Sequence, residues 1–299
     1  MIQSDLSLLQ FKKRFASERA CERALEKLRW PDGFVCPKCK HVKASRIATR
    51  RLLQCSKCRH QVSLTAGTIF HKTRTPLLKW FWAIYLAGQD KGGVSALRLA
   101  KQLELGYKTA WLMLHKIRKA MAQRDSDYTL SGFIEMDDAF FGGTAKGRRG
   151  RGAANKTPVL VMVESQGEKA GFIAMRTLEN MQKDQVDQAV EGWIAPNQSI
   201  RTDGHKSFLH LDALGHRHDG TPVPPQKASE DLHWVHIAIS NAKRFLLGTY
   251  HGVSHKHLQL YLDEFCYRFN RRSWEKQITL RLLTACIFAT PVTYAELKG

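Results

Sequence analysis

The sequence predicts an α/β domain with a mixed sheet, preceded by a helical region, a cysteine-rich ribbon and a helix-turn-helix-like module. Three observations carry that expectation. Residues 131–178 hold three β-like runs, FIEMDDAFFGG, PVLVMVES and GFIAMRTL. A helical pattern, a short strand and further helices follow them, and strands followed by alternating helices make one α/β layer system. Before position 125 the hydrophobic period is helical, apart from one segment holding two close cysteine pairs.

Taken in order, residues 5–29 read as helical, with Leu6, Leu9, Phe11, Phe15, Leu25 and Leu28 near helical spacing. The ribbon occupies about 30–70. Residues 76–122 look all-helical, opening with Pro76 and the apolar LLKWFWAIYLA. Within them, VSALRLAKQLELGYKTAWLMLHKIRKAM suggests two short helices broken at Gly106. That spacing suits a helix-turn-helix with Tyr107 to Lys119 as recognition helix, and Lys108 and Lys116 as its DNA contacts. An ordinary helical hairpin in a small core is the alternative.

The strands come next, with the Gly-rich basic loop TAKGRRGRGAANK at 144–156 between the first two. Its Lys146, Arg148, Arg149 and Arg151 are expected to touch DNA. A helix over 182–194, the short strand SIRTDG, the loop HDGTPVPPQKASED and a helical region over 234–270 complete the domain. Three domains are expected: 1–70, 71–125 and 126–299. No internal repeat stands out.

Lys plus Arg total 47 against 27 Asp plus Glu, a formal net charge of +20. Such an excess points to a polyanionic partner, because cations that neutralise phosphates release condensed counterions. A merely basic soluble protein, such as a ribosome-associated factor, is the bland reading. Hydrophobic residues make up 43%, enough for a sizeable core and against global disorder. Residues 1–10 lack a signal-peptide pattern, and the longest apolar stretch, Trp80 to Ala87, is too short to span a membrane. Seven cysteines, four of them in two close pairs, argue for a reducing interior rather than a disulfide framework.

Those pairs are Cys36-Pro-Lys-Cys39 and Cys55-Ser-Lys-Cys58, two CxxC knuckles separated by residues 40–54. Each supplies two thiolates at one bite, and the intervening length suits a hairpin that folds one knuckle over the other. Four thiolates close a tetrahedral structural Zn²⁺ site. Lys38, Lys40, Lys43, Arg46, Arg50, Arg51, Lys57 and Arg59 surround it, so the ribbon is expected at DNA phosphates, with a purely structural ribbon as the alternative.

Metal-dependent phosphodiester cleavage needs carboxylates held around divalent ions. Asp137 lies inside the apolar run Phe133 to Phe141, where an unpaired charge would be costly, and Asp203 ends a short strand just before Gly204. Glu135 and Asp138 are expected to point to the other strand face or to solvent. Tyr261, Phe265, Tyr267 and Phe269 with Arg268, Arg271 and Arg272 read as a helix core with a solvated basic face, a DNA-end contact being the alternative.

CPKC…CSKC, SLTAGTIFHKTRTPLLKWFWAIYL, EMDDAFFGG, TDGHKSF and GTYHGVSHKHLQLYLDEFCYRFNRR together resemble the ISXO-like insertion-sequence transposases. The resemblance spans nearly the whole chain. It implies a DDE-type, RNase H-like core that cuts and joins DNA with Mg²⁺ or Mn²⁺. It further implies double-stranded DNA partners (terminal inverted repeats and target), a homo-oligomer on DNA, and a bacterial, nucleoid-associated cytoplasmic location. By position, Asp137 matches the first catalytic Asp and Asp203 the second. The third position departs: the family has a Glu seven residues before a Lys, and counting back from Lys243 lands on His236. Asn241, two residues before Lys243, is the other metal-capable residue, with Glu230 and Asp231 upstream in the loop. Lys243 and Arg244 are expected to steady the DNA backbone. The missing Glu keeps an inactive DNA-binding relic or repressor as a rival, and a nuclease without strand transfer as another.

Overall fold

The computed structural model describes residues 6–50, 52–142, 156–220 and 231–298. The chain divides into two units, one of residues 1–124 with 274–299 and the other of residues 125–273.

In the first unit the expected N-terminal helical region is two helices, α1 (Leu8–Arg14) and α2 (Glu18–Arg29). The first helix ends at Phe15, which leaves the helical region, and the extended Ser17 starts the next, its hydroxyl accepting from Ala20 N as a cap. The ribbon is a three-stranded antiparallel sheet of β1 (Ala44–Ile47), β2 (Leu52–Cys55) and β3 (Gln61–Ser63), with β2 central. Next comes α3 (Leu77–Gln89), which starts after Pro76, a residue with no side chain to cap it. Glu18 of α2 caps it instead, accepting from Leu77 N at 2.9 Å and Leu78 N at 3.0 Å.

The helix-turn-helix-like pair is α4 (Ala96–Leu103) and α5 (Tyr107–Asp125), joined through a left-handed Glu104. At 19 residues α5 is much longer than the short helix expected. Every residue from Met113 to Arg118, as well as Ala110, Ala120 and Met121, is buried. It is a core helix that leaves its N-terminal turn, Tyr107 and Lys108, exposed.

The second unit is built on β4 (Phe133–Phe141), β5 (Thr157–Ser165), β6 (Ala170–Thr177), β7 (Ser199–Arg201) and β8 (Arg217–Asp219), with α6 (Lys183–Trp193) before β7. The sheet order is β6-β5-β4-β7-β8. The first three strands pair antiparallel, and β7 and β8 add in parallel, which is the arrangement of an RNase H-like sheet. The three-residue β8, Arg-His-Asp, has no apolar signal and was not expected.

Side chains alternate across the sheet. Ile134 and Met136 face the core that holds Val186 and Val190 of α6. Ala139 and Phe141 face the opposite core, against α7 (His233–Tyr250) and α8 (Leu258–Phe269). These two helices replace the single helical region expected over 234–270, the break following a left-handed His251.

Helix α8 also closes the open edge of the sheet. On the edge strand β6, Ile173 donates to Asn270 Oδ1 (2.8 Å) and accepts from Asn270 Nδ2 (3.1 Å). Thr177 N donates to Gln259 Oε1 (2.8 Å), and Gln259 Nε2 donates to Met175 O (3.0 Å). Side-chain amides thus take the ladder positions of a missing strand.

The chain then returns to the first unit with α9 (Ile278–Phe288) and α10 (Tyr294–Lys298). Helix α9 packs closely on α3 at Gly88, where a Cβ would meet Thr279 Oγ1 at 3.2 Å, so a larger residue would push the neighbour back by a few tenths of an ångström. No helix among the described residues is long and apolar enough to cross a membrane.

Candidate functional site

Asp137 sits at the middle of β4, the central strand, opposite Val161 of β5. By alternation it shares a face with Glu135, Ala139 and Phe141, the face that α7 covers. Parallel pairing brings the chain to Asp203 beside β4. Phe133 pairs with Ser199, Ile134 with Ile200 and Glu135 with Arg201, and Asp203 follows two residues after the last of these pairs. The two strands are neighbours, about 4.8 Å apart.

Past β7 the chain is held by Thr202, fully buried, whose hydroxyl lies 2.9 Å from His218 Nε2 on β8. Asp203 Oδ1 accepts from His205 N at 2.9 Å, and Gly204 takes a φ of +73° to make that turn. The unexpected strand β8 therefore anchors the loop that presents Asp203.

Helix α7 carries His236, the residue expected at the third position. Val235, Ala238, Ile239, Ala242, Phe245 and Leu246 are its buried stripe. His236 lies at the border of that stripe, with Nε2 4.0 Å from Asp137 Oδ2. That nitrogen is buried and has no hydrogen-bond partner. Burial depresses the imidazole below its ordinary range, with Lys243 acting in the same sense against the opposing pull of Glu135 and Asp203. It is therefore neutral at pH 7, the form that ligates metals. Lys243, seven residues on, lies on the same helical face, whereas Asn241 at five residues is rotated by about 140°. Burial lowers the Lys243 ammonium too, followed by Lys156, with Asp137 opposing.

Glu135 is the residue that sequence reasoning misplaced. It does not turn to the other strand face or to solvent: it is buried, and its Oε2 accepts from Trp234 N (2.7 Å) and Val235 N (3.1 Å). Helix α7 begins after Leu232, which has no capping side chain, so this strand carboxylate caps it. The cap fixes the first turn of α7 on β4, one residue before His236. The signal available in the sequence was the i, i+2 relation of Glu135 to Asp137.

The ribbon thiols converge more tightly. Sγ atoms of Cys36, Cys39, Cys55 and Cys58 all lie within 4.8 Å of one another, and no other group of three or more His, Cys, Asp or Glu among the described residues does so. Asp137, Asp203 and His236 do not meet that spacing, although His236 lies near Asp137 and close enough to Asp203 to feel its charge. Burial resists ionisation of Cys36, yet backbone N–H groups of Cys39 and Lys38 and the neighbouring thiols bring it down to about 6. The quartet is a four-cysteine zinc ribbon.

Of the expected DNA contacts, Lys108 and Arg244 are exposed. Lys116 is not: it is buried and its Nζ donates to Ile69 O at 3.2 Å, so it serves the core of the first unit and cannot reach a phosphate. Lys146, Arg148, Arg149 and Arg151, like Glu230, lie outside the described residues. The basic face expected around Arg268 to Arg272 is solvated only in part, with Arg272 exposed and Arg268 half-buried. Arg271 is buried, paired with Asp125 at 2.7 Å and stacked on Tyr267, and Arg268 is paired with Glu264 at 2.9 Å. Arg272 donates to the carbonyls of Gly171 and Phe269.

Comparison with known proteins gives two family matches. Residues 129–270 match the ISXO2-like transposase domain, and residues 16–61 the transposase zinc-ribbon domain. Over 277 residues the chain is 27% identical to an uncharacterized protein in transposable element ISH50 of Halobacterium salinarum, covering 85% of this chain and 91% of that one. Two solved structures are also similar. A pre-cleavage Mos1 transpososome has 13% identity, 67% and 76% of the two chains covered and a TM-score of 0.28. A Mos1 strand transfer complex has 14% identity, 72% and 78% coverage and a TM-score of 0.29.

Proposed function

From a chain that carries an ISXO2-like transposase domain behind a transposase zinc ribbon, we propose a DNA transposase that binds the terminal repeats of its own insertion element and catalyses metal-dependent strand cleavage and strand transfer. In this reading Asp137, Asp203 and His236 hold the divalent ions. The observation that carries it is the pairing of Asp137 with His236 at 4.0 Å, through a buried imidazole nitrogen that has no other partner. Acceptor-only carboxylates and a neutral imidazole fit Mg²⁺ or Mn²⁺, the nitrogen leaning toward Mn²⁺. When bound, such ions would activate the attacking water and stabilise the leaving oxygen.

The protein groups act around them. The neighbouring strands position the two carboxylates, and Glu135 locks α7 so that His236 stays opposite Asp137. Lys243 and Arg244 lie beside this face and steady a phosphate of the bound strand. Terminal-repeat binding falls to the first unit, with Lys108 at the exposed start of α5, where a helix-turn-helix places its base contacts. Binding as a homo-oligomer on DNA, and a nucleoid-associated location, belong to the same proposal.

The experiment is cleavage and 3′-OH joining of a duplex carrying the element's own ends. Asp137→Asn and Asp203→Asn should each abolish cleavage and leave binding of the duplex largely intact. His236→Ala should lower cleavage at least about a hundredfold, and His236→Glu should retain it. A fully active His236→Ala with a dead Asn241→Ala would transfer the ligand role to Asn241. Cutting without joining identifies a nuclease, and a parent chain that binds the ends but never cuts identifies an inactive relic or repressor.

A further inference from the structure

The two knuckles of the ribbon correspond over six residues. Cys36-Pro-Lys-Cys-Lys-His41 and Cys55-Ser-Lys-Cys-Arg-His60 agree at both cysteines, the lysine between them and the histidine, and carry a cation after the second cysteine. The backbones repeat as well. Lys40 N donates to Cys36 O at 3.0 Å and Arg59 N to Cys55 O at 3.1 Å, while Cys36 N donates to His41 O at 2.8 Å and Cys55 N to His60 O at 2.9 Å. Across the quartet Cys36 faces Cys58 and Cys39 faces Cys55, each pair of Sγ atoms at 3.6 Å. The knuckles are thus two equivalent turns around one centre.

Each turn puts its cation in the left-handed region, with φ +62° at Lys40 and +59° at Arg59. Glycine adopts that conformation without steric cost, and a long L-side chain does not. A knuckle that needed only the turn would be best served by glycine, yet both positions carry an exposed cation, and Lys38 and Lys57 are exposed beside them. Residues 36–60 include no Asp or Glu. Local strain kept twice at matched places, with the same charge each time, points to a ligand rather than to the fold.

We propose that the two knuckles are a pair of equivalent phosphate clamps. Each holds one backbone phosphate of duplex DNA through its left-handed cation, Lys40 or Arg59, and the lysine two residues earlier, Lys38 or Lys57. This rests on the reading that the chain binds DNA and adds which residues of the ribbon grip it.

The test uses the full chain, with Lys40→Gly and Arg59→Gly singly and together, titrated by fluorescence anisotropy against a terminal-repeat duplex and an unrelated duplex of equal length. Zinc content and melting temperature should be unchanged or improved, because glycine relieves the turn. Affinity should fall roughly eightfold per site near 0.1 M salt, and the log–log salt slope should shrink by about 0.9 per site, equally for both duplexes. Lys40→Arg and Arg59→Lys should bind like the parent, while Lys38→Met and Lys57→Met, which leave the turn untouched, should weaken binding. Unchanged affinity in the double glycine variant overturns the proposal, as does loss of zinc, which would make the cations structural. A loss confined to one duplex would mean base reading and also overturns it. A parent chain that binds neither duplex refutes the DNA-binding reading itself, a result distinct from a parent and variants that bind equally well.

Discussion

Replacing Glu135 by Gln tests how the second unit positions His236. The carboxylate is buried and accepts two backbone N–H bonds at the start of α7, at 2.7 and 3.1 Å. Glutamine is nearly isosteric but neutral. It loses the charge assistance of both bonds and the attraction to the positive end of an 18-residue helix. Losing that charge at a buried helix start costs about 1–2 kcal/mol. At roughly 2–4 °C per kcal/mol for a domain of this size, the melting transition should fall by about 2–8 °C. A surface carboxylate would shift stability by less than about 0.5 kcal/mol. The second readout is cleavage of the terminal-repeat duplex. If Glu135 acts by holding the first turn of α7, Glu135→Gln should reduce cleavage in the parent but add little in a His236→Ala background, a non-additivity that a double-mutant cycle measures. A neutral effect on melting would refute the cap. Full additivity in the cycle would refute the claim that the cap acts through His236.

Two other perturbations check the same unit. Asn270→Ala removes both amide bonds to Ile173 on the edge strand; it should cost about 1–3 kcal/mol in a urea titration, and Asn270→Ala with Gln259→Ala should self-associate by light scattering as the edge is bared. Two histidines beside β7 and β8 set a pH limit: burial lowers the imidazoles of His216 and His218 below the ordinary 6.5. The unfolded chain then binds more protons as pH drops, so stability is full above about 6.5 and is lost progressively below it. Melting temperature measured from pH 7.5 to 5 should show that slope, and it should flatten in His216→Gln with His218→Gln.

Where local pattern and tertiary need agree, the sequence is readable. The nine-residue run around Asp137 is apolar on both faces because β4 is the central strand, covered by α6 on one side and α7 on the other. The knuckle spacing encodes the thiol quartet, since each CxxC is a complete turn in itself. The placement of His236 seven residues before Lys243 is likewise a property of helix periodicity alone.

What the sequence by itself determined is therefore the α/β class, the three long strands, the zinc ribbon and the strand context of Asp137, all written in spacings of a few residues. Tertiary structure alone decided how the helix ends are satisfied and which cations are free. Neither Pro76 nor Leu232 can cap the helix that follows it, and the caps come from Glu18 and Glu135, about 59 and 100 residues distant. Lys116 and Arg271 carry the charges of a DNA-binding surface but lie in the interior, bound to a carbonyl and a carboxylate. The physical reason is that a buried donor or charge must find a partner wherever the fold brings one, and that partner has no fixed distance along the chain.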